Sequence, residues 1–390
     1  MVDFKHLLFY TKLEINVSVI AFTKGEKMSR IEKIMQYIDD IFLNISNSDE
    51  RKVSFIHSYG VAQCCSLLAV KRGLNSELAF VCGLLHDVYS YKTGVRKLHS
   101  INGAEMIRVA FKYELKDVFT DEEQILIRSA IFHHSDKDHI HDEYDEILKD
   151  ADVLQHWLFD VTSDYFVCER LIEVQKELNL SVSKLPTYSK VKNFNSFSRI
   201  MLGNIAEEFA RKNIHGEKSD SEFMDIIKFY PEKSAFDELK NAWCAAFVYY
   251  CAVKAGLEIP IRFEPMANTR FACVAAWLRW GEKNGFCFRE QDGFTPSRGD
   301  ILIYDNIIPK ENKPENTPWY DHIGVVLSVD DEILTVGEGN INNNNISGVT
   351  KRKRGENIGC YLRIPDGYKY DGWMYDYKTQ KIRMENYKHS

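Results

Sequence analysis

Apolar residues recur at helical spacing through the first half of the chain. Ile31, Ile34, Met35 and Ile38 form one such set, and Val61, Cys64, Cys65 and Leu68 the next. Recurrence at i, i+3, i+4 and i+7 places side chains on one stripe of a helix. Gly73 reads as a helix stop, and Asn75 or Ser76 followed by Glu77 as a fresh N-terminus. Further helices are predicted over 77–91, 101–114, 121–134, 142–157 and 161–178. All nine prolines lie at or after Pro186, and only six of the 21 glycines precede residue 201, so the first half lacks helix breakers and predicts an all-α bundle. Residues 179–198, rich in Ser, Lys, Asn and Thr, read as a linker. Beyond it, predicted helices over 199–212, 236–255 and 268–284 precede β-branched runs at Asp300 to Tyr304, His322 to Val329 and Glu332 to Val336. Helices first and strands afterwards predict an α+β unit with an antiparallel sheet. Asn342 to Asn345 predicts a short polar loop.

A length of 390 residues exceeds what one core usually organises, and 45% hydrophobic residues can fill two. The expected division is an N-terminal extension over 1–28, a helical domain over 29–170, a connection over 171–198, an α+β domain over 199–366 and a tail over 367–390. Each domain is expected to have its own core. A net charge of −7 gives no electrostatic reason to bind nucleic acid or an anionic membrane, so an anionic substrate must meet a local patch. The nine cysteines, several inside apolar runs, read as free thiols in a reducing compartment. Val17 to Phe22 is too short for a signal-peptide core, and no stretch is expected to span a membrane, which places the protein in the cytoplasm. Lys24 to Lys27 can be encoded as a purine-rich string like a bacterial ribosome-binding site, so translation is expected to start at Met28. An intact mass of the full 390 residues from the native host would refute that expectation.

The first half also carries candidate metal chemistry. His57 lies on one predicted helix and His86-Asp87 ends the next, so an antiparallel pair would bring all three side chains to one end of the bundle. Asp150 is the expected fourth ligand. Two imidazoles and two carboxylates without cysteine favour manganese, iron or magnesium over zinc. His139, His141 and His156 are assigned no role.

In this order and spacing, residues 29–170 resemble the HD-domain phosphohydrolases, whose pattern is a His, a His-Asp pair and a later Asp. Leu84-Leu85-His86-Asp87, His99-Ser100 followed by Gly103-Ala104, and Ala130-Ile131 leading to His134 reinforce the likeness. The last two features are similar to HD enzymes acting on dinucleoside polyphosphates, in which extra histidines serve a second metal. The resemblance implies one or two divalent ions, with His99 and His134, and less firmly His133, as further ligands. It also implies hydrolysis of a phosphoester or phosphoanhydride in a small-molecule substrate. Lys92 and Arg96 are candidates to hold the phosphate or, equally, a solvated helix end.

In the second half Cys244, within Asn241-Ala242-Trp243-Cys244-Ala245-Ala246-Phe247, begins an apolar helical segment. The unsatisfied N–H groups of a helix start favour a thiolate. His322 is the candidate base, and Glu338 or Asn340 the residue that orients it. Residues 199–366 resemble the papain-like CHAP family of cysteine, histidine-dependent amidohydrolases and peptidases. The likeness rests on residues 243–247, Ala276-Trp277-Leu278 to Gly281, Gly299-Asp300-Ile301, His322-Ile323-Gly324-Val325-Val326 and Gly337-Glu338-Gly339-Asn340. It implies Cys244 as nucleophile, His322 as base and then acid, and Glu338 as the orienting residue, with Asn340 the alternative. A peptide or amide substrate follows, of the peptidoglycan type in most members and a glutathione–polyamine conjugate in some. Asp300 reads as a strand-entry turn and Lys351 to Arg354 as a solvated turn. Together the halves predict a two-module hydrolase; the alternative is an amidase regulated by a nucleotide-sensing, non-hydrolysing HD domain.

Overall fold

A computed structural model describes residues 28–185, 196–263, 269–305, 307, 321–372, 375–376 and 381–382. The expected extension ahead of Met28 and part of the expected linker lie outside these residues. The helical half contains α1 (Arg30–Leu43), α2 (Ser48–Arg72), α3 (Ser76–Leu85), α4 (Val88–Thr93), α5 (His99–Lys112), α6 (Asp121–His133), α7 (Glu143–Phe159) and α8 (Glu169–Glu177). Local chemistry sets the ends. Ser29 and Glu32 form a capping box on α1, as do Thr120 and Glu123 on α6; the Asn47 and Asn75 side chains cap α2 and α3, and Gly73 closes α2 at φ 72°.

Two features of this half position the metal ligands. The helix predicted over 77–91 breaks at Asp87 (φ −106°, ψ 6°), which releases Asp87 from the 100° offset that consecutive helical residues would impose. The α2 and α3 backbones also touch at Gly83, where an added Cβ would lie 2.5 Å from Ala62 Cα and 2.7 Å from its nitrogen. Only glycine allows the approach that brings the α2 and α3 ligands to one end.

By length and composition α2 is long and apolar enough to cross a membrane, contrary to the sequence expectation. Half of its apolar stretch is buried against the bundle, Val61, Cys65 and Leu68 fully, while Leu67 and Val70 are exposed. A second correction concerns the domain boundary. Helix α8 packs on α7, and Arg170 pairs with Glu146 and Asp150, so the helical unit continues past residue 170 into the expected connection.

The second half opens with α9 (Arg199–Ala210), α10 (Ser221–Ile227), α11 (Ala235–Leu239), α12 (Cys244–Lys254) and α13 (Val274–Lys283). The helix predicted over 236–255 is split between α11 and α12, which makes Cys244 the first residue of α12. The strands are β1 (Cys287–Phe288), β2 (Ile301–Tyr304), β3 (His322–Val329), β4 (Ile333–Glu338), β5 (Gly348–Lys353) and β6 (Ile358–Leu362). Among the described residues they form an antiparallel six-stranded sheet in the order β1-β6-β2-β3-β4-β5. Helices α9 and α12 pack on β3, setting the helix of Cys244 against the strand of His322. A short hairpin, β7 (Tyr375–Asp376) with β8 (Lys381–Ile382), follows.

The expectation of separate cores is corrected. One cluster of buried apolar side chains runs through both halves. Hydrogen bonds cross the junction from Tyr89 to the Phe229 carbonyl, from Lys97 to the Gly256 carbonyl and from the Ile261 N–H to Asn102 Oδ1. The C-terminal Tyr375 ring packs against Phe132 of α6.

Candidate metal centre and cysteine site

At one end of the helical bundle, four histidines meet in two pairs. His57 Nε2 lies 3.1 Å from His86 Nε2, and His99 Nε2 lies 3.0 Å from His134 Nε2. The Nδ1 atom of each ring sits against an oxygen acceptor: Gln155 Oε1 at 2.6 Å for His57, Gly83 O at 2.8 Å for His86, Arg96 O at 2.7 Å for His99 and Ile131 O at 2.7 Å for His134. An Nδ1–H donated to oxygen leaves the Nε2 lone pair pointing into the cluster. Lone pairs facing each other at 3 Å repel unless a cation separates them, so this donor set fits a metal ion. Asp87 lies between the pairs. Its Oδ2 is 3.7 Å from both His57 Nε2 and His86 Nε2, while its Oδ1 is 3.0 Å from His99 Nε2 and 3.4 Å from His134 Nε2.

Electrostatics agree with ligand chemistry. Burial holds His57, His86 and His134 below the ordinary imidazole value, favouring the neutral, lone-pair-bearing ring. For His99 the Asp87 carboxylate more than offsets burial and raises the value. Burial alone would raise the Asp87 carboxyl, but His86 and His99 hold it well below the usual range.

The fourth first-half ligand requires a correction. Asp150 points to Arg72 Nη2 at 2.6 Å and Arg170 Nη1 at 2.7 Å, and joins no metal-capable cluster among the described residues. Asp152 takes the place expected for it: its Oδ1 is 3.6 Å from His57 Nε2, and it groups with His57 and His86, while His86, Asp87 and His134 make a second group. Two residues apart on a helix means about 200° around the axis, so only one of the two aspartates can face the bundle end. The missed signal was spacing: Asp152, Gln155 and His156 share the i, i+3, i+4 face. His156, given no role from the sequence, has Nε2 3.4 Å from Asp152 and stacks on Phe166.

Lys92 is also reassigned, because it donates to the Pro231 carbonyl across the domain junction at 2.7 Å. Arg96, by contrast, lines a cavity of about 600 Å³ over the cluster with His57, Asp87, His99, Tyr91 and Phe166. His133 is tied to Asp145 at 2.8 Å and stacks on His141 with ring centroids 3.9 Å apart, while His141 pairs with Asp136. His133, His141 and Asp145 also bring ligand atoms close enough together to form a third group that could hold a metal ion, sharing no residue with the two groups built on His86.

In the second half, His322 Nε2 is 3.2 Å from Glu338 Oε2, and Cys244 is near enough to act on the imidazole electrostatically. Glu338 is fully buried and richly partnered. Tyr304 donates to it at 2.6 Å, Thr350 at 2.9 Å, and Arg352 through Nε at 3.1 Å and Nη2 at 2.7 Å. Gly324 makes room for this carboxylate, since a Cβ there would meet Glu338 Cγ at 2.8 Å. Asn340, the alternative orienting residue, is bonded elsewhere: its amide donates to the Asn241 carbonyl and its Oδ1 accepts from the Asn345 N–H, which shapes the polar loop. Arg352 corrects the reading of 351–354 as a solvated turn. On β5, Thr350 and Arg352 share a face by the period of two and point to Glu338. Asp300 is a buried structural anchor for Arg363 and the Ser297 N–H.

Burial would lower His322, but the neighbouring Cys244 and Glu338 push it up to about 10. Burial would raise Glu338, and His322 and Arg352 bring it down to about 2. The His322 contribution to stability is complete below its ordinary value of 6.5 and is lost as pH rises toward about 10. The Glu338 contribution is complete above 4.5 and is lost as pH falls toward about 2.

A buried His/Asp centre in a helical bundle and a Cys-His-Glu arrangement against an antiparallel sheet are both hydrolase architectures. Residues 54–157 match the HD domain family and residues 236–340 the CHAP domain family, so the chain joins an HD domain to a CHAP domain. Both are hydrolase families. Comparison with curated proteins and with solved structures returned no match.

Asp152→Asn is expected to lower bound manganese or iron severalfold by plasma mass spectrometry. Asp150→Asn should keep the metal and lose thermal stability instead; equal metal loss in both variants would contradict the reassignment. The His322 ring should titrate near pH 10 by NMR, and Glu338→Gln should move that midpoint down; a midpoint near 6.5 in the unaltered chain would refute the arrangement.

Proposed function

We propose that the chain is a two-site hydrolase, its HD domain cleaving a phosphoester or phosphoanhydride of a nucleotide-type small molecule and its CHAP domain cleaving an amide or peptide bond. The observation that carries the phosphohydrolase reading is the pair of facing imidazoles with Asp87 between them. His57, His86, Asp87 and Asp152 would hold one divalent ion, and His99 and His134 with Asp87 a second. Such ions supply Lewis acidity toward water and toward a phosphoryl oxygen. Arg96 orients the phosphate from the cavity wall, while Tyr91 and Phe166 offer flat faces to a base. The chemistry of six N and O donors favours manganese, iron or magnesium.

In the CHAP domain, Cys244 attacks the carbonyl carbon of the amide and His322 delivers a proton to the leaving amine; water then releases the acyl group from the sulfur. Glu338 holds His322 in place, and Arg352, Tyr304 and Thr350 hold Glu338. The nine free thiols support a reducing, cytoplasmic setting, and with it a soluble peptide or amide substrate. Neither nucleic acid nor membrane is a partner in this reading.

The test is phosphate release from a panel of nucleotides and dinucleoside polyphosphates with manganese added. Turnover on at least one substrate, reduced 100-fold or more in His86→Ala, is the expected result. Turnover unchanged in that variant would overturn the assignment of the site. Metal bound without any turnover would favour the alternative of a sensing HD domain that regulates the amidase.

A further inference from the structure

In a chain of net charge −7, positive charge gathers where the two domains meet. A cleft of about 740 Å³ opens there, walled by α5 and its C-terminal continuation on one side and by residues 231–238, Arg262 and Arg270 on the other. Six cations line it: Lys92, Arg108, Lys112, Lys233, Arg262 and Arg270. Among the described residues three carboxylates line it with them, Glu114, Glu232 and Glu238, and Glu105 pairs with Arg108 and Arg262. The cavity over the metal centre has the opposite balance, with Arg96 set against Asp49, Glu50 and Asp87.

The cationic surplus reaches the floor of the cleft. Arg262, 8% exposed, lies 3.5 Å from Glu105 and 3.2 Å from Glu232. Glu105 is shared with Arg108 at 2.9 Å and Arg128 at 3.7 Å, and Glu232 with Arg270 at 2.9 Å; Arg270 also pairs with Glu238. Among the described residues these arginines share their carboxylates in a partly buried setting, where an added anion with several oxygens is stabilised by planar guanidinium donors. Tyr37 and the exposed Tyr113 place aromatic rings at the rim, and the volume falls within the roughly 300–1,000 Å³ of small-molecule sites.

We propose that this interdomain cleft binds a phosphorylated small molecule of nucleotide size, separate from the substrate of the metal centre. Cations from both domains contact it: Arg108 and Lys112 from the HD side, Lys233 and Arg270 from the CHAP side. Occupancy therefore bridges the junction that Lys92 and Lys97 already tie by hydrogen bonds.

The test titrates the full chain with inorganic pyrophosphate and with ATP by calorimetry, using citrate as a carboxylate control. Saturable binding is expected, weaker by at least tenfold in Lys112→Glu and in Lys233→Glu and weakening as salt rises. Lys112 and Lys233 are exposed and neither lines the cavity over the metal centre, so metal content and melting temperature should stay unchanged in both variants. Absence of saturable binding by either phosphate ligand would overturn the proposal, leaving the charges as interdomain ion pairs. Binding that both variants leave intact would overturn it equally by placing the ligand elsewhere, and citrate binding as tight as pyrophosphate would overturn the phosphate preference.

Discussion

Four imidazoles whose Nδ1 atoms are each committed to an oxygen must turn their Nε2 atoms inward, and the helical domain is arranged around that constraint. Two nitrogen pairs at 3.0 and 3.1 Å are tolerable only with positive charge between or beside them. A proton on His99, favoured by Asp87, supplies part of that charge, and divalent ions would supply more. The supporting acceptors come from separate places: a side chain on α7, a carbonyl inside α3, and carbonyls before α5 and within α6. Ring orientation is therefore a property of the packed bundle rather than of any one segment, which is how outer-shell contacts tune a metal site.

The cysteine site follows a related logic with a different buried charge. A fully buried carboxylate is costly unless every oxygen is satisfied, and Glu338 meets that condition through His322, Tyr304, Thr350 and Arg352. The strand register does the placing: Tyr304 on β2 lies opposite His322 on β3, and Glu338 on β4 lies opposite Gly348 on β5. With one apolar cluster running through both domains, the two sites are held within a shared fold.

Much of this was legible in the sequence where periodicity and punctuation are strong. The proline-free half with capping residues at Asn75 and Gly73 gave its helices, and the His-Ile-Gly segment opened β3 while Gly337-Glu338 closed the adjacent β4. What escaped were choices that depend on the third dimension. Asp150 and Asp152 look equivalent along the chain, yet Arg72 and Arg170 claim the first and leave the second to the histidines. Arg352 sits in a basic run that suggested solvent, whereas strand pairing with β4 turns it toward Glu338. Lys92 met a carbonyl from a domain whose position no local pattern encodes.

X-ray absorption on the manganese- or iron-loaded chain tests the central claim most directly. A first shell of nitrogen and oxygen only, with at least two imidazoles and with imidazole scattering diminished in His57→Ala, is the predicted result. A shell containing sulfur, or one without imidazole, would contradict it.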